Sequence, residues 1–244
     1  MHYCGIALGP GFLQLASLEE VRVAQPPVRL RATFYEPGDL DRVAAAIRAL
    51  GDAVVGIGAP GGEDRLADRE LAERGVPPMH YSAEAARLYE ELADLGVYAP
   101  AGDGGGQVEE GAFRTAAVFE TTPDGLFAAL QGRRVPARRH PLGIQRRIEE
   151  LEHDHVHDPG GDLWHRRIEE IEAAGAALAA HRYAVAHACW LGNPDEGVIV
   201  LPGSRVPKRF SAEGVLPPVP REPLPVTAKS ADAKAQPQAG ARKA

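Results

Sequence analysis

Residues 2–20 hold two apolar runs that meet at Gly9-Pro10-Gly11. Glycine and proline at that point leave a tight turn between two strands, so the chain opens with a β-hairpin. The next segments alternate. Residues 28–36 have strand composition, and residues 39–51 place apolar side chains at helical spacing, with Asp39 as the cap and Gly51 as the stop. Ala53–Gly58 is a third kind of run, short and wholly apolar, as expected of a buried strand. Strands alternating with helices predict an α/β layer architecture.

Helices are then expected over residues 65–75 and 82–96, a strand near 114–121, and a helix after Pro123, a residue suited to a first helical turn. Further helical stretches fall at 143–153 and in one long Ala-rich run from Asp162 to Leu191, before a last apolar run, Gly197 to Gly203. In the long run Trp164, Ile168, Ile171 and Leu178 form an apolar stripe that serves a core or a dimer interface. From Ser211 the chain turns Pro-, Ala- and Lys-rich with few large apolar residues, which predicts a disordered tail at 211–244 behind a single domain at 1–210.

Composition narrows the function classes. The 244 residues carry a net charge of −7, which argues against a surface built throughout for nucleic acid, although a local basic patch remains open. Two distant cysteines, Cys4 and Cys189, sit in apolar segments and read as buried thiols of a reducing cytoplasm. Neither a signal-peptide pattern nor a run of membrane-spanning length is seen, so a cytoplasmic protein is expected.

The turn at Gly9 and Gly11 lacks the Lys-Ser/Thr pair that would reach a phosphate and its magnesium, and lacks the third glycine of a dinucleotide loop. Taken in order, however, "CGIALGPGFLQLASL", "VVGIGAPGGEDRLADRELAERG", "VFETTPDGLFAALQG", "HPLGIQRRIEEL" and "DEGVIVLPG" resemble a family of predicted nucleases with an RNase H-like fold, known as a domain of unknown function. The likeness runs from Tyr3 to Gly203. It implies an RNase H-like mixed sheet flanked by helices and, in an active member, phosphodiester hydrolysis with magnesium or manganese held by carboxylates.

Against the family pattern, Ala7 stands where the first-strand Asp is expected and Gly58 where the Asp before Ala-Pro is expected. Glu120 in "ETTP" matches and is the candidate catalytic residue and metal ligand, with Thr122 in place of the usual Tyr. The late-helix acid falls near His181 or Arg182, where no acid is available. His181 is therefore the candidate partner of Glu120, as a second ligand or an acid-base pair, with Glu109 or Glu110 as further donors.

Two other segments stand out. Residues 152–165 interleave His153, His155, His157 and His165 with Asp154, Asp158 and Asp162, a density that suits a transition metal or a solvated loop. Arg133, Arg134, Arg138, Arg139, Arg146 and Arg147 form a basic run after Glu120, suited to phosphates or to balancing Glu149, Glu150 and Glu152. Two roles result: a metal-dependent nuclease rebuilt around Glu120, or a catalytically silent relative that binds nucleic acid or a protein partner through the arginine segment, with a homodimer through the long helix also open.

Overall fold

The computed structural model describes residues 1–22, 28–102 and 105–211. They form a nine-stranded mixed sheet flanked by six α-helices. The hairpin is as expected: β1 (His2–Gly9) and β2 (Phe12–Val21) pair antiparallel around the Gly-Pro-Gly turn, with Ala7 opposite Gln14. Strand β3 (Arg29–Phe34) continues that meander, and α1 (Leu40–Ala49) follows, its Asp39 carboxylate accepting the Arg42 amide at 3.0 Å.

Strand β4 (Ala53–Gly58) returns beside β1 in parallel, pairing Ala7 with Gly58. After α2 (Leu66–Glu73) and α3 (Ala83–Glu91) come β5 (Gly106–Gln107) and β6 (Val118–Glu120), the latter parallel to β4 with Glu120 beside Ile57. Helices α4 (Pro123–Gln131) and α5 (Pro141–His153), strand β7 (Val156–His157), helix α6 (Ile168–Ala184), and strands β8 (Ala188–Asn193) and β9 (Gly197–Pro202) complete the chain. The sheet order is β5-β8-β9-β6-β4-β1-β2-β3-β7.

Side-chain alternation along the strands divides the core in two. Cys4, Ile6, Val55, Ile57 and Val118 point toward α1 and α3. Tyr3, Ala7, Val54 and Phe119 point toward α6, with α4 and α5 packed behind it. Helix α6 is buried on nearly every side, which explains its alanines: it lies so close to the sheet that a Cβ on Gly5 would fall 2.0 Å from the Ala173 carbonyl oxygen. A larger side chain at this crossing would push helix and sheet apart.

Two expectations change. The long helix ends at Ala184, and Ala188–Asn193 is a strand, because those residues pair antiparallel with β9 from Ala188–Pro202 to Asn193–Gly197. His187 is therefore past the helix. Trp164 does not join an apolar stripe: it sits in a 3-10 turn before α6, is 47% exposed, and donates its indole N–H to Glu152 at 2.9 Å. The tail expected at 211–244 lies outside the described residues, except for Ser211, whose carbonyl accepts the Arg134 amide at 3.0 Å. Both cysteines are buried and neither is in a disulfide, and among the described residues no helix is long and apolar enough to cross a membrane.

Candidate functional site

Ligands of parallel α/β sheets gather at the carboxyl ends of the strands, and here Gly58 of β4 and Glu120 of β6 share that end with Ala7 of β1. Glu120 ends its strand on the α1/α3 side, since it is in register with Ile57 and two residues from Val118. The loop at residues 59–65 folds over it. Gly61 donates its amide to Glu120 Oε2 at 2.8 Å, and Arg65 closes a bidentate pair, Nη1 to Oε2 and Nη2 to Oε1, both at 2.6 Å. Neither side chain is more than 5% exposed.

Arg65 also opens α2. Its Nε donates to Asp68 Oδ2 at 3.1 Å and its Nη2 to Asp68 Oδ1 at 3.2 Å, while Asp68 reaches back to the Arg65 amide as a capping box. Gly61 has to be glycine or very small, because a Cβ there would meet Glu120 Oε2 at 3.2 Å and the Tyr89 ring at 3.3 Å. The Tyr89 hydroxyl, directed to the Ala59 carbonyl at 2.8 Å, walls the other side. Leu66 donates its amide to Glu196 at 2.7 Å, tying the same loop to the β8–β9 turn.

Electrostatics at this cluster pull in two directions. Burial pushes the Glu120 carboxyl above its ordinary value, and the Arg65 guanidinium and Gly61 amide offset this only in part. Burial pulls Arg65 down, and the hydrogen bonds and charges of Glu120 and Asp68 outweigh it, holding the guanidinium above its ordinary value. Every contact on the Glu120 carboxylate is an N–H donor, the pattern of an ionised acid. The pair is a charge-compensated unit that tolerates burial because each member satisfies the other.

These residues do not fit the magnesium or manganese that the family resemblance implies. Such ions need several hard oxygen ligands in near-octahedral geometry. Both Glu120 oxygens are taken by N–H groups, Ala7 offers none, and Gly58 is closed to a side chain: a Cβ there would stand 2.9 Å from the Ile6 carbonyl oxygen. Among the described residues no group of three or more His, Cys, Asp or Glu is placed to hold a metal ion.

His181 is not the partner of Glu120. It lies on α6, across the sheet, edge-on to Tyr3 with ring centroids 4.9 Å apart, and its Nε2 meets Glu20 Oε1 at 3.1 Å. Helix α6 runs against β1 so that His181 sits by Tyr3 and Ala173 by Gly5. The helical position level with Ala7 is thus in the first turn, where Glu170 stands, and not at His181 or Arg182. Glu170 is also neutralised by arginine: Arg166 Nη1 lies 3.1 Å and Arg167 Nε 3.3 Å from its oxygens. Glu109 accepts from the Tyr98 hydroxyl at 3.2 Å, and neither it nor Glu110 is among the partners of Glu120.

The arginine run is largely turned inward. Arg147 is fully buried, paired with Asp124 and donating to the Pro136 and Gly143 carbonyls at 3.1 and 2.9 Å, beside the Phe127 ring. Arg138 makes a bidentate pair with the buried Glu172, and Arg146 pairs with Glu149 one turn on. Arg134 is exposed, Arg133 half-buried, and Arg139 is 71% exposed with Glu169 at 4.0 Å. The run of six is therefore not a continuous basic surface. In the His/Asp segment two of the three aspartates go to arginines as well, Asp154 to Arg182 at 3.0 Å and Asp158 to Arg166 at 2.6 Å, while Asp162 accepts the Trp164 amide at 3.0 Å.

Sequence reasoning missed Arg65. The signal present was the pair of glycines, Gly61 and Gly62, placed between the end of a buried strand and a polar helix. No family model matches the chain, and the searches of curated proteins and of solved structures found no match to it.

Proposed function

We propose that this chain is a catalytically silent RNase H-like protein whose role is binding, with its strand-end carboxylate converted from a metal ligand into one half of an ion pair. What supports the fold assignment is the order β3-β2-β1-β4-β6, antiparallel among the first three strands and parallel among the last three. The observation that carries the functional reading is the Glu120 carboxylate, both of whose oxygens accept from Arg65, with the Gly61 amide on Oε2 as well. A rebuilt nuclease would have to break this pair before a metal could use Glu120, leaving the buried Arg65 with only the partly buried Asp68 as its countercharge.

The partner this surface favours is a nucleic-acid backbone, met through Arg134 and Arg139 rather than through all six arginines. Two phosphate contacts give a log–log salt slope of roughly −2, where six would give about −5. The deciding experiment incubates the chain with single-stranded, duplex and hybrid nucleic acid in magnesium and in manganese, and measures binding against salt. No metal-dependent cleavage is expected, in wild type or in Glu120→Gln. Cleavage by wild type that disappears in Glu120→Gln would sink the silent reading. The absence of any binding at low salt would remove nucleic acid as the partner.

A further inference from the structure

Two carboxylates, Glu120 and Asp68, converge on a single buried guanidinium. We infer that Arg65 is a tethered cation standing where a divalent ion would otherwise balance the strand-end carboxylate, and that the seat it fills selects a planar guanidinium over a metal. This deepens the silent reading above and rests on it.

Three features of the geometry carry the selectivity. The guanidinium makes four N–H···O contacts in one fork, two to Glu120 at 2.6 Å and two to Asp68 at 3.1 and 3.2 Å. A planar group with several fixed donors matches two carboxylates set on different sides of it, while a spherical ion at about 2.0–2.1 Å from its ligands cannot serve both without drawing the carboxylates together. The Gly61 N–H is aimed at Glu120 Oε2, so the seat already presents a positive hydrogen to the oxygen a metal would need. The neighbouring strand ends add no oxygen ligand: Ala7 and Gly58 alternate toward the α6 face, away from Glu120, and Gly58 has no room for a side chain.

The same exchange recurs at a second carboxylate. Glu170, level with Ala7 on the other side of the sheet, is balanced by Arg166 and Arg167, not left to share an ion. Arginine compensation is thus a property of this end of the fold and not an accident of one loop. The cation arrives with the chain, on the N-cap residue of α2.

The test is thermal unfolding of the full chain as wild type, Arg65→Ala, Arg65→Lys and Arg65→Ala/Glu120→Gln, each with millimolar methylguanidinium, manganese chloride, or sodium chloride at matched ionic strength. Arg65→Ala should melt well below wild type. Methylguanidinium should return at least half of the lost Tm with saturation, manganese and sodium should return little, and the double variant should not respond. Arg65→Lys should stay well below wild type, since a point charge lacks the fork.

Recovery of Arg65→Ala by manganese as large as by methylguanidinium would overturn the proposal, as would recovery of the double variant or a lysine variant as stable as wild type. If Arg65→Ala does not fold alone, folding on addition of methylguanidinium supports the proposal, and failure with every cation overturns it. Metal-dependent cleavage by wild type would defeat the silent reading separately, through an assay in which these melts play no part.

Discussion

Two arginine-bearing regions of this molecule differ in the way opposite to their prominence in the sequence. The run from Arg133 to Arg147 is conspicuous, yet Arg147, Arg138 and Arg146 are spent on Asp124, Glu172 and Glu149 of the chain itself. Arg65 lies in an unremarkable loop and closes the strand ends by pairing with Glu120. A cluster of like charges on paper does not make a surface. What decides is whether a carboxylate lies within reach after folding, and in an acidic chain the answer is usually yes.

The most direct way to break this comparison is to truncate the two buried arginines separately. Arg65→Ala leaves Glu120 buried with the Gly61 amide as its remaining donor, and should cost about 3–5 kcal/mol by chemical denaturation. Arg147→Ala should cost less, about 2–4 kcal/mol, from a cavity and the loss of the side-chain donor to the Pro136 carbonyl. Its partner Asp124 is 38% exposed and is rescued by water. Equal costs would mean that burial of the arginine, and not of its carboxylate, sets the penalty. Replacing both members of the first pair, Arg65→Met with Glu120→Leu, should recover much of the single-variant loss, because removing a buried pair is milder than breaking it.

This contrast also marks where the sequence was legible. The opening hairpin, the capped α1, the buried strand β4 and the Pro-started α4 follow from local chemistry: turn residues, a capping Asp, an apolar run, a proline without an N–H to lose. The start of β8 did not, since residues 185–191 carry apolar side chains compatible with either state and only pairing with β9 decides for strand. The Glu120–His181 pair failed for a different reason. Two candidate residues in a correct fold can still face opposite layers, and the parity of β6, with Phe119 toward α6 and Glu120 away from it, separates them. Arg65 was invisible because nothing local to it names its partner, which lies 55 residues on.

Buried groups without a countercharge extend the comparison to pH. Burial pushes the Cys4 thiol up from 9.0 to about 12, and burial followed by the Glu20 charge pushes the Tyr3 hydroxyl up as well. A group whose folded pKa lies above its unfolded one contributes its stability in full below the unfolded value and loses it as pH rises toward the folded one. Stability should therefore decline between about pH 9 and pH 12. Cys4→Ala should flatten the part of that decline due to the thiol. In the native state at pH 8.5, Cys4 should resist alkylation and react once urea unfolds the chain. Fast labelling of the folded protein at Cys4 would show that the strand opens locally.

The smallest expected effect tests the outer half of the arginine run. Arg146 and Glu149 are each more than a third exposed, one turn apart on α5, and such pairs contribute roughly 0.2–1 kcal/mol. Arg139, at 71% exposure and 4.0 Å from Glu169, should contribute still less. Arg146→Ala and Arg139→Ala should thus unfold almost with wild type, and the two should separate in binding. Losing Arg139 should reduce the salt slope for nucleic acid by about one, while losing Arg146 should leave it unchanged. Equal effects on binding would return Arg146 to the contact surface. A large stability loss in Arg139→Ala would mean that its reach to Glu169 closes the start of α6, and the exposed arginine would then belong with Arg65 instead of standing against it.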